Sequence, residues 1–364
     1  MEYRKLPKGD EQIGVVGFGG SGIHQAGEKE GVATILAAME KGVNYFDMAV
    51  SEASAFDYYR AAFAGNRDKV LLQMHFGADY SSGKYGWTTD LGRIKNGMDW
   101  LLDKLGTDYI DFGFIHCIDE PADLEKYAGS GALEHIQALK AQGVVRHIGL
   151  SSHTPEIVNR LLDMGVLDVV MFSINPAYDY RHGEYAFGGV DERLELYRRC
   201  EKEGVGITVM KPFGGGQLLS AALSPFKRAL TQVQCIQYAL DKPGVLTVLP
   251  GYRNQADLER ALAWLDAPEE ERDYSALGGF APAEAEGKCV YCAHCHPCPK
   301  GLDIALINKY YDLAKIGDAL AADHYRKLEL HAQDCIHCGH CDGRCPFHVR
   351  QSARMDEIAE YFKG

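Results

Sequence analysis

The chain contains 364 residues, which is more than a single hydrophobic core usually holds, so two domains are expected. Its formal net charge of −13 argues against the basic surface that nucleic acids and anionic membranes require. No apolar run approaches the length of a spanning helix, and the N-terminal segment lacks the apolar core of a signal peptide. We therefore expect a cytoplasmic protein.

Short apolar runs alternate with longer amphipathic segments through most of the chain. The apolar runs are rich in β-branched and aromatic residues, which is typical of buried parallel strands. They cover residues 13–19, 43–47, 70–76, 109–116, 144–152, 168–175, 205–211 and 245–250. The helical periodicities between them include residues 32–42, 92–106, 133–143, 155–165 and 191–204. Strand–helix units of this number and size predict a (β/α)8 TIM barrel over residues 1–270, with an open doubly wound sheet as the competing arrangement.

The composition changes after the predicted barrel. Residues 271–288 are acidic, contain Pro and Gly and lack periodicity, which predicts a linker. Residues 289–364 contain eight of the 11 cysteines, in two runs that each end in Cys-Pro. A helix is predicted between the runs, around Ile304 to Leu330. The cysteines of the two runs are Cys289, Cys292, Cys295 and Cys298, then Cys335, Cys338, Cys341 and Cys345.

This cysteine spacing is typical of iron–sulfur ligation. Three thiolates at three-residue intervals hold three corners of a cubic cluster, while a fourth cysteine further along ligates a second cluster. We therefore predict a small α-helical, ferredoxin-type domain with two [4Fe–4S] clusters. The predicted ligand sets are Cys289, Cys292, Cys295 and Cys345 for one cluster, and Cys335, Cys338, Cys341 and Cys298 for the other. Zinc is the alternative, although its sites usually combine two separated cysteine pairs.

The cysteine pattern also indicates a compartment. Oxygen-sensitive clusters need a reducing environment, which suits an anaerobic or microaerobic metabolism. The remaining cysteines, Cys117, Cys200 and Cys235, are too scattered for a disulfide framework, and we expect them to be buried. The first cluster run departs from the common spacing, with only two residues before Cys298. In the predicted scheme that cysteine serves the other cluster, so the shorter interval is tolerable.

Polar residues follow several predicted strands. Barrel enzymes carry their chemistry at the C-terminal ends of the strands, so these side chains are candidates for an active site. They are Asp47, His75, His116, Ser151, Asn175 and Lys211.

Six segments, in this order and spacing, resemble the aldo-keto reductases, specifically the branch with a C-terminal ferredoxin module. The segments are GVVGFGGSG, GVNYFDMA, LGTDYIDFGFIHCID, GVVRHIGLSSH, MKPFGGGQL and VLPGYRNQADLERAL. With the cysteine tail, the resemblance covers nearly the whole chain. It implies a barrel oxidoreductase that acts on a small carbonyl or hydroxyl substrate.

The resemblance implies a catalytic Asp, Tyr, Lys and His, of which this sequence keeps two. Asp47 and His116 match, whereas Glu52, beside Ser51, stands where the family has its tyrosine, and His75 stands where it has its lysine. Replacing lysine by histidine removes a permanent cation and introduces a group that titrates near neutrality. We therefore predict Asp47, His75, His116 and Glu52 as the catalytic set, with Glu52 as substitute acid or base.

Two nearby tyrosines offer another route to the missing acid. Tyr58 and Tyr59 lie on a helical stretch and could reach the site, although packing on the outside of the barrel is the simpler interpretation.

Cofactor residues are also implied by the resemblance. Three glycines after strand seven could approach a pyrophosphate, and Arg253 is a candidate for the 2′-phosphate of NADP. Ser151 matches a position that usually holds the nicotinamide carboxamide, and Asn175 stands where the family generally has Gln. The predicted NAD(P) residues are Ser151, Asn175, Lys211, Gly214, Gly215, Gly216, Arg253 and Asn254.

Histidines suggest a different barrel chemistry. His24, His75, His116 and His153 all belong to segments near one barrel mouth, where they could bind a divalent metal or relay protons. A bound flavin, or a catalytically silent barrel in an electron-transfer or scaffolding subunit, are further alternatives.

The leading hypothesis joins the two regions. The barrel would exchange a hydride or electron pair with its substrate, and the clusters would pass single electrons to an external carrier such as a ferredoxin. An acidic carrier would require a local basic patch, for which the candidates are Lys288, Lys300, Lys309 and Lys327.

Overall fold

The computed structural model describes residues 1–280 and 286–363, so residues 281–285 of the predicted linker lie outside the described residues. The chain forms two compact units. The first comprises Met1–Ile174, Val205–Pro212 and Leu246–Asp266, and the second comprises Asn175–Gly204, Phe213–Val245 and Ala267–Gly364. The domain boundaries drawn from the sequence stay a prediction.

The described residues contain strands of three to eight residues and a few two-residue strands. They are β1 (Tyr3–Lys5), β2 (Gln12–Gly14), β3 (Phe18–Gly19), β4 (Tyr45–Asp47), β5 (Leu71–Phe76), β6 (Ala78–Asp79), β7 (Gly86–Trp87), β8 (Ile110–Ile115), β9 (Val145–Ser152), β10 (Val169–Ser173), β11 (Gly206–Met210) and β12 (Val245–Val248).

The α-helices follow the periodic segments of the sequence. They are α1 (Glu28–Glu40), α2 (Ala55–Phe63), α3 (Leu91–Leu105), α4 (Pro121–Gly129), α5 (Ala132–Ala141), α6 (Pro155–Asp163), α7 (Pro176–Asp179), α8 (Val190–Lys202), α9 (Gln232–Leu240), α10 (Gln255–Leu262), α11 (Glu269–Arg272), α12 (Ile304–Lys315), α13 (Ala319–Arg326), α14 (His340–Arg344) and α15 (Gln351–Tyr361). None of the described helices is long and apolar enough to cross a membrane.

Eight parallel strands form the barrel wall, in the order β12-β11-β10-β9-β8-β5-β4-β3. Hydrogen bonds between the two ends of this series close the wall. The amide of Gly17 donates to the carbonyl of Val248 at 2.9 Å, and the amide of Val248 donates to the carbonyl of Val15 at 2.9 Å. The expected α/β barrel is therefore confirmed.

The first predicted strand differs from expectation. Residues 13–19 do not form one strand, because β2 pairs antiparallel with β1 and only Phe18 and Gly19 pair with β4 in the wall. The hairpin β1–β2 still contributes to the barrel core, since Leu6 and Ile13 belong to the same buried cluster as Tyr45 and Phe112.

A second hairpin lies beyond the wall. Strand β6 follows β5 after one residue, Gly77, and pairs antiparallel with β7. Gly77 has a φ of +121°, which a glycine adopts readily because it has no Cβ. The hairpin therefore carries residues 80–85 beside the C-terminal ends of β4 and β5, where the functional residues were expected.

The second unit contains the cysteine tail and its own core. Buried apolar side chains of α12, α13 and α15, among them Ile307, Tyr325 and Ile358, pack in one cluster. The helix predicted from Ile304 to Leu330 is two helices, because Gly317 has a φ of +86° and ends α12. Asp318 then caps α13 by accepting hydrogen bonds from the next turn.

Candidate active site

Three polar residues at the C-terminal ends of neighbouring wall strands lie together. Asp47 ends β4, His75 lies in β5 and His116 follows β8. Strand β5 pairs with both β4 and β8, which places the three side chains side by side at one rim of the barrel. All three are buried, with 5 to 6% of their surface exposed.

Hydrogen bonds join these side chains into a continuous chain. The Nε2 of His75 lies 2.7 Å from Oδ1 of Asp47. The Nδ1 atoms of His75 and His116 lie 2.9 Å apart, and the Nε2 of His116 lies 2.8 Å from the hydroxyl of Tyr85. Four side chains therefore connect a buried carboxylate to a phenol that is 43% exposed. We call Tyr85, His116, His75 and Asp47 the rim relay.

The carboxylate of Asp47, at the buried end of the rim relay, determines which nitrogen and oxygen atoms of the relay donate and which accept. Oδ1 of Asp47 accepts a hydrogen bond from the N–H at Nε2 of His75, which leaves Nδ1 of the His75 ring as an acceptor. Nδ1 of His116 must then donate, so its Nε2 accepts from the Tyr85 hydroxyl. Burial lowers the pKa of His116 well below its usual value, and His75 and His153 lower it further, which agrees with a neutral ring.

Tyr85 was missed by the sequence analysis because it lies outside every recognised motif. It reaches the rim through backbone pairing of its hairpin with the segment after β4. The amide of Tyr85 donates to the carbonyl of Ser51 at 3.0 Å, and the amide of Ala53 donates to the carbonyl of Gly83 at 2.9 Å. Tyr85 thus lies beside the position where the resemblance expects a tyrosine. A tyrosine shortly after the turn at Gly83 and directly before the strand that begins at Gly86 was the available signal.

Glu52 occupies the expected position but does not join the rim relay. Its backbone bridges to Lys84, and within residues 1–280 and 286–363 its carboxylate makes no hydrogen bond to Asp47, His75 or His116. Tyr58 and Tyr59 are buried in α2. The Tyr58 ring packs against Gly31, and the Tyr59 ring packs against Phe18, Phe46 and Phe63.

Gln73 holds the buried end of the rim relay. Its Nε2 donates to Oδ1 of Asp47 at 3.1 Å and lies 3.2 Å from Nε2 of His75. Its Oε1 accepts from the hydroxyls of Tyr45, at 2.8 Å, and Thr208, at 3.2 Å. A fully buried amide with both ends engaged fixes the orientation of the carboxylate.

The four histidines named in the sequence analysis do not form one metal site. Within the part of the chain that the structure describes, the group of three or more with metal-like spacing is Cys117, Asp119 and His153. His75 and His116 belong to the rim relay, and His24 lies in the helical turn Gly20–Ala26 after β3.

The expected cofactor residues of the first unit lie after wall strands. Ser151 is buried near the end of β9, and Lys211 follows β11 with a φ of +54°. Arg253 precedes α10 with its side chain 60% exposed, and it pairs with Asp257 at 2.8 Å. Asn254 caps α10 by accepting the amide hydrogen of Asp257 at 3.0 Å.

The expected cofactor residues of the second unit lie in two loops. Asn175 is fully buried and caps α7 by accepting the amide hydrogen of Tyr178 at 3.0 Å. Gly214, Gly215 and Gly216 all have a positive φ, and a Cβ placed on Gly215 or Gly216 would meet no atom within 4 Å. The backbone of these two glycines is therefore open to close approach by a ligand.

The eight cysteines of the tail form two groups, each of which draws on both runs. One cavity is lined by Cys298 from the first run together with three cysteines from the second, namely Cys335, Cys338 and Cys341. The other group is Cys289, Cys292, Cys295 and Cys345, whose thiols lie close enough to perturb one another electrostatically.

A buried lysine lies beside the second of these groups. Lys242 is fully buried, and its Nζ lies 3.5 Å from the carbonyl of Val290 and 3.7 Å from the centre of the Tyr238 ring. Burial lowers the pKa of this ammonium, whereas Asp179, Asp241 and the thiols of Cys292 and Cys289 raise it. Within the described residues no carboxylate forms an ion pair with Lys242.

A family model confirms the resemblance to the aldo-keto reductases over the barrel, and its match ends before the cysteine tail. The model described as "Aldo/keto reductase family" matches residues 12–229. Among the curated proteins, L-glyceraldehyde 3-phosphate reductase from Escherichia coli K12 is 24% identical over 274 residues, covering 69% of this chain and 75% of its own length. L-galactose dehydrogenase from Arabidopsis thaliana is 26% identical over 236 residues, covering 60% of this chain and 67% of its own.

A solved structure shows the same fold. The holo form of aldo-keto reductase AKR11C1 from Bacillus halodurans superposes with a TM-score of 0.62 at 22% identity, and the match covers 78% of this chain and 97% of that protein.

Proposed function

The chain belongs to the aldo/keto reductase family of oxidoreductases, and we propose that it interconverts a small carbonyl compound and its alcohol through the rim relay. We further propose that two [4Fe–4S] clusters in the second unit exchange single electrons with an external carrier. The observation that carries the first proposal is the unbroken chain of hydrogen bonds from Tyr85 to Asp47.

The rim relay provides the acid and base that the missing family residues would supply. In alcohol oxidation the Tyr85 oxygen accepts the hydroxyl proton of the substrate and passes its own proton to Nε2 of His116. The proton on Nδ1 of His116 moves to Nδ1 of His75, and the proton on Nε2 of His75 moves to Asp47. Carbonyl reduction runs the same transfers in reverse, so that Tyr85 protonates the developing alkoxide. The three transfers within the rim relay each cross a hydrogen bond of 2.7 to 2.9 Å.

Nicotinamide binding is supported by the family and by the open backbone of the glycine loop. NAD(P), when bound, would supply or accept the hydride. A pyrophosphate could approach the backbone at Gly215, whereas the amide of Gly216 already donates to the carbonyl of Phe213 at 3.0 Å. Arg253 offers an exposed guanidinium for a 2′-phosphate, although Asp257 already pairs with it. Ser151, Asn175, Lys211, Gly214 and Asn254 complete the proposed set, with Asn175 and Asn254 engaged as helix caps.

The donor sets suit the proposed iron–sulfur clusters. Each group offers four thiols, three from one run and one from the other, as the spacing of two-cluster ferredoxins requires. Lys242 is fully buried, and no carboxylate of the described residues forms an ion pair with it, so its charge is costly to keep although Asp179 and Asp241 raise its pKa. A cluster with four thiolates is an anion that would compensate this charge. [4Fe–4S] clusters, when bound, would carry one electron at a time.

A variant of Tyr85 tests the rim relay. We expect Tyr85→Phe to lower kcat for carbonyl reduction by about 10²-fold, because general acid catalysis is removed while the ring remains. Tyr80→Phe is the matched control, since Tyr80 lies in the same segment but donates its hydroxyl to the carbonyl of Val50 at 3.0 Å. Equal activity of Tyr85→Phe and Tyr80→Phe would rule out the phenol as proton donor.

The cofactor proposals need a separate measurement. Protein purified anaerobically should contain about eight irons and as many acid-labile sulfides per chain. Addition of NADPH or NADH should bleach the cluster absorbance if nicotinamide and clusters exchange electrons. Clusters that neither nucleotide reduces would remove the nicotinamide link, and protein without iron or sulfide would remove the electron-transfer proposal while leaving the Tyr85 test intact.

A further inference from the structure

A thiol, a carboxylate and an imidazole converge beside the rim relay without taking part in it. Cys117 directly follows His116, and Asp119 lies two residues after Cys117. His153 follows β9, which is the neighbour of β8 in the wall. One ligand atom from each lies within 4.8 Å of the other two. The Sγ of Cys117 lies 3.9 Å, and Nδ1 of His153 lies 2.9 Å, from Oδ2 of Asp119.

Other contacts orient the carboxylate toward this cluster. The Oδ1 of Asp119 accepts hydrogen bonds from the Ser152 hydroxyl at 3.0 Å and from the His153 amide at 2.6 Å. The second oxygen, Oδ2, is thereby directed at Cys117 and His153. Carboxylates that bind metals are commonly held in this way by hydrogen bonds to the oxygen that is not a ligand.

The backbone of Cys117 supports the same arrangement. Its φ of +50° is unusual for a residue with a Cβ, and it turns the chain immediately after His116. The conformation brings the thiol back toward the carboxylate two residues later. Three side chains from two adjacent strand ends thus form a compact set of one sulfur, one oxygen and one nitrogen donor.

We propose that Cys117, Asp119 and His153 bind a zinc ion with an open coordination position. Zinc takes thiolate, imidazole and carboxylate ligands together, and its catalytic sites have three protein ligands plus a water or substrate oxygen. The site adjoins His116 through Cys117, so the open position belongs to the same barrel rim as the rim relay. An oxygen ligand there, such as a carbonyl or alcohol oxygen, is the class of molecule that the ion would take.

The site is independent of the proposed clusters, because its three ligands come from the first unit alone. Its test uses the full-length protein and Zn²⁺ alone. X-ray absorption at the zinc edge does not detect iron, and it should show one Zn–S distance of about 2.3 Å with nitrogen and oxygen at about 2.0 Å. Cys117→Ser should remove the sulfur from the zinc shell while leaving the iron content unchanged.

Affinity measurements provide the matched comparison. Asp119→Asn should weaken Zn²⁺ binding at least tenfold in a chelator competition. Asp123→Asn is the control, since Asp123 lies nearby on the same segment but pairs with Lys126 at 3.1 Å. Ser152→Ala should weaken binding roughly tenfold because it removes one of the two hydrogen bonds that hold Oδ1 of Asp119. Zinc bound without sulfur, or equal affinity of Asp119→Asn and Asp123→Asn, would overturn the proposal.

Discussion

The barrel rim and the cysteine tail hold their buried polar groups in different ways. At the rim, Asp47, His75, His116 and Tyr85 satisfy one another, and Gln73 engages the carboxylate from behind. Beside the thiols of the tail, Lys242 is as deeply buried, yet among the described residues its Nζ contacts a carbonyl at 3.5 Å and two aromatic rings, while Asp179 and Asp241 act on it without forming an ion pair. Burying an unpaired charge costs much more than burying a hydrogen-bonded network.

This difference separates two kinds of site. A network that is internally paired can move protons with its own atoms, as we propose for the rim relay. A region with a buried cation and eight clustered thiols is suited to hold an added anionic group.

Removing a thiol should have the largest effect in the tail. Cys335→Ala should lower the iron content from about eight to about four per chain, because one of the two ligand groups loses a corner ligand. Cys200→Ala, which changes a buried cysteine outside both groups, is the control. Iron and sulfide analysis of anaerobic protein measures both variants. A loss of iron in Cys200→Ala equal to that in Cys335→Ala would contradict the assignment of ligands.

Breaking the buried end of the rim relay should have the next largest effect. Asp47→Asn should lower kcat by about 10³-fold, because the amide cannot accept the proton that reaches it through His75. Gln73→Leu should cost less, roughly tenfold, since it only positions the carboxylate. Steady-state kinetics, with a thermal melt to check folding, give both numbers. If Gln73→Leu cost more activity than Asp47→Asn, the carboxylate would not be the proton acceptor.

A variant of Lys242 tests whether the buried ammonium stabilises a reduced cluster. Lys242→Met should lower the reduction potential of the proposed cluster at Cys289 and Cys292, whose thiols interact electrostatically with this ammonium. Removing one nearby charge at an effective dielectric of about 20 changes the energy by on the order of 2 kcal/mol, or roughly 50–100 mV. Lys300→Met, which removes an exposed cation beside Cys298, should change the potential far less. Redox titration followed by electron paramagnetic resonance measures both. Equal potentials in wild type and Lys242→Met would exclude this electrostatic role.

The smallest expected effect is on stability, and it concerns an ion pair away from the rim relay. Burial alone would lower the pKa of His147, but contacts with Asp168 and Glu11 outweigh it and raise the value. The stabilisation is fully present below the unfolded pKa of about 6.5 and is lost as pH rises through the higher folded pKa. His147→Gln should therefore reduce the free energy of unfolding by on the order of 1 kcal/mol at pH 6, and by less at pH 9.

Denaturant unfolding at the two pH values checks this prediction. A difference between wild type and His147→Gln that grows from pH 6 to pH 9 would contradict the raised pKa. Tyr85→Phe, unfolded under the same conditions, should show no such pH dependence, which separates the relay from this distant pair.

Much of the fold could be predicted because its signals are local. Apolar runs such as residues 109–116 are short and rich in β-branched and aromatic residues, which predicts strands. Eight units of one strand and one helix can be arranged in only a few ways. The cysteine runs are also a local signal, because the three-residue spacing within a run determines which thiols can hold the same cluster. The break at Gly317 was missed because a helical periodicity continues across it, and only the positive φ reveals the turn.

The strand order, the positions of Asp47, His75 and His116 at strand ends and the spacing of the thiols could all be inferred from the sequence. The folded chain was needed to show that Tyr85, rather than Glu52, completes the relay, and that Cys117 and Asp119 meet His153. These contacts were missed because the residues that form them are far apart along the chain. Tyr85 reaches the rim through hairpin pairing with Ser51, and His153 reaches Asp119 because β8 and β9 are neighbours in the wall, so neither contact leaves a local pattern.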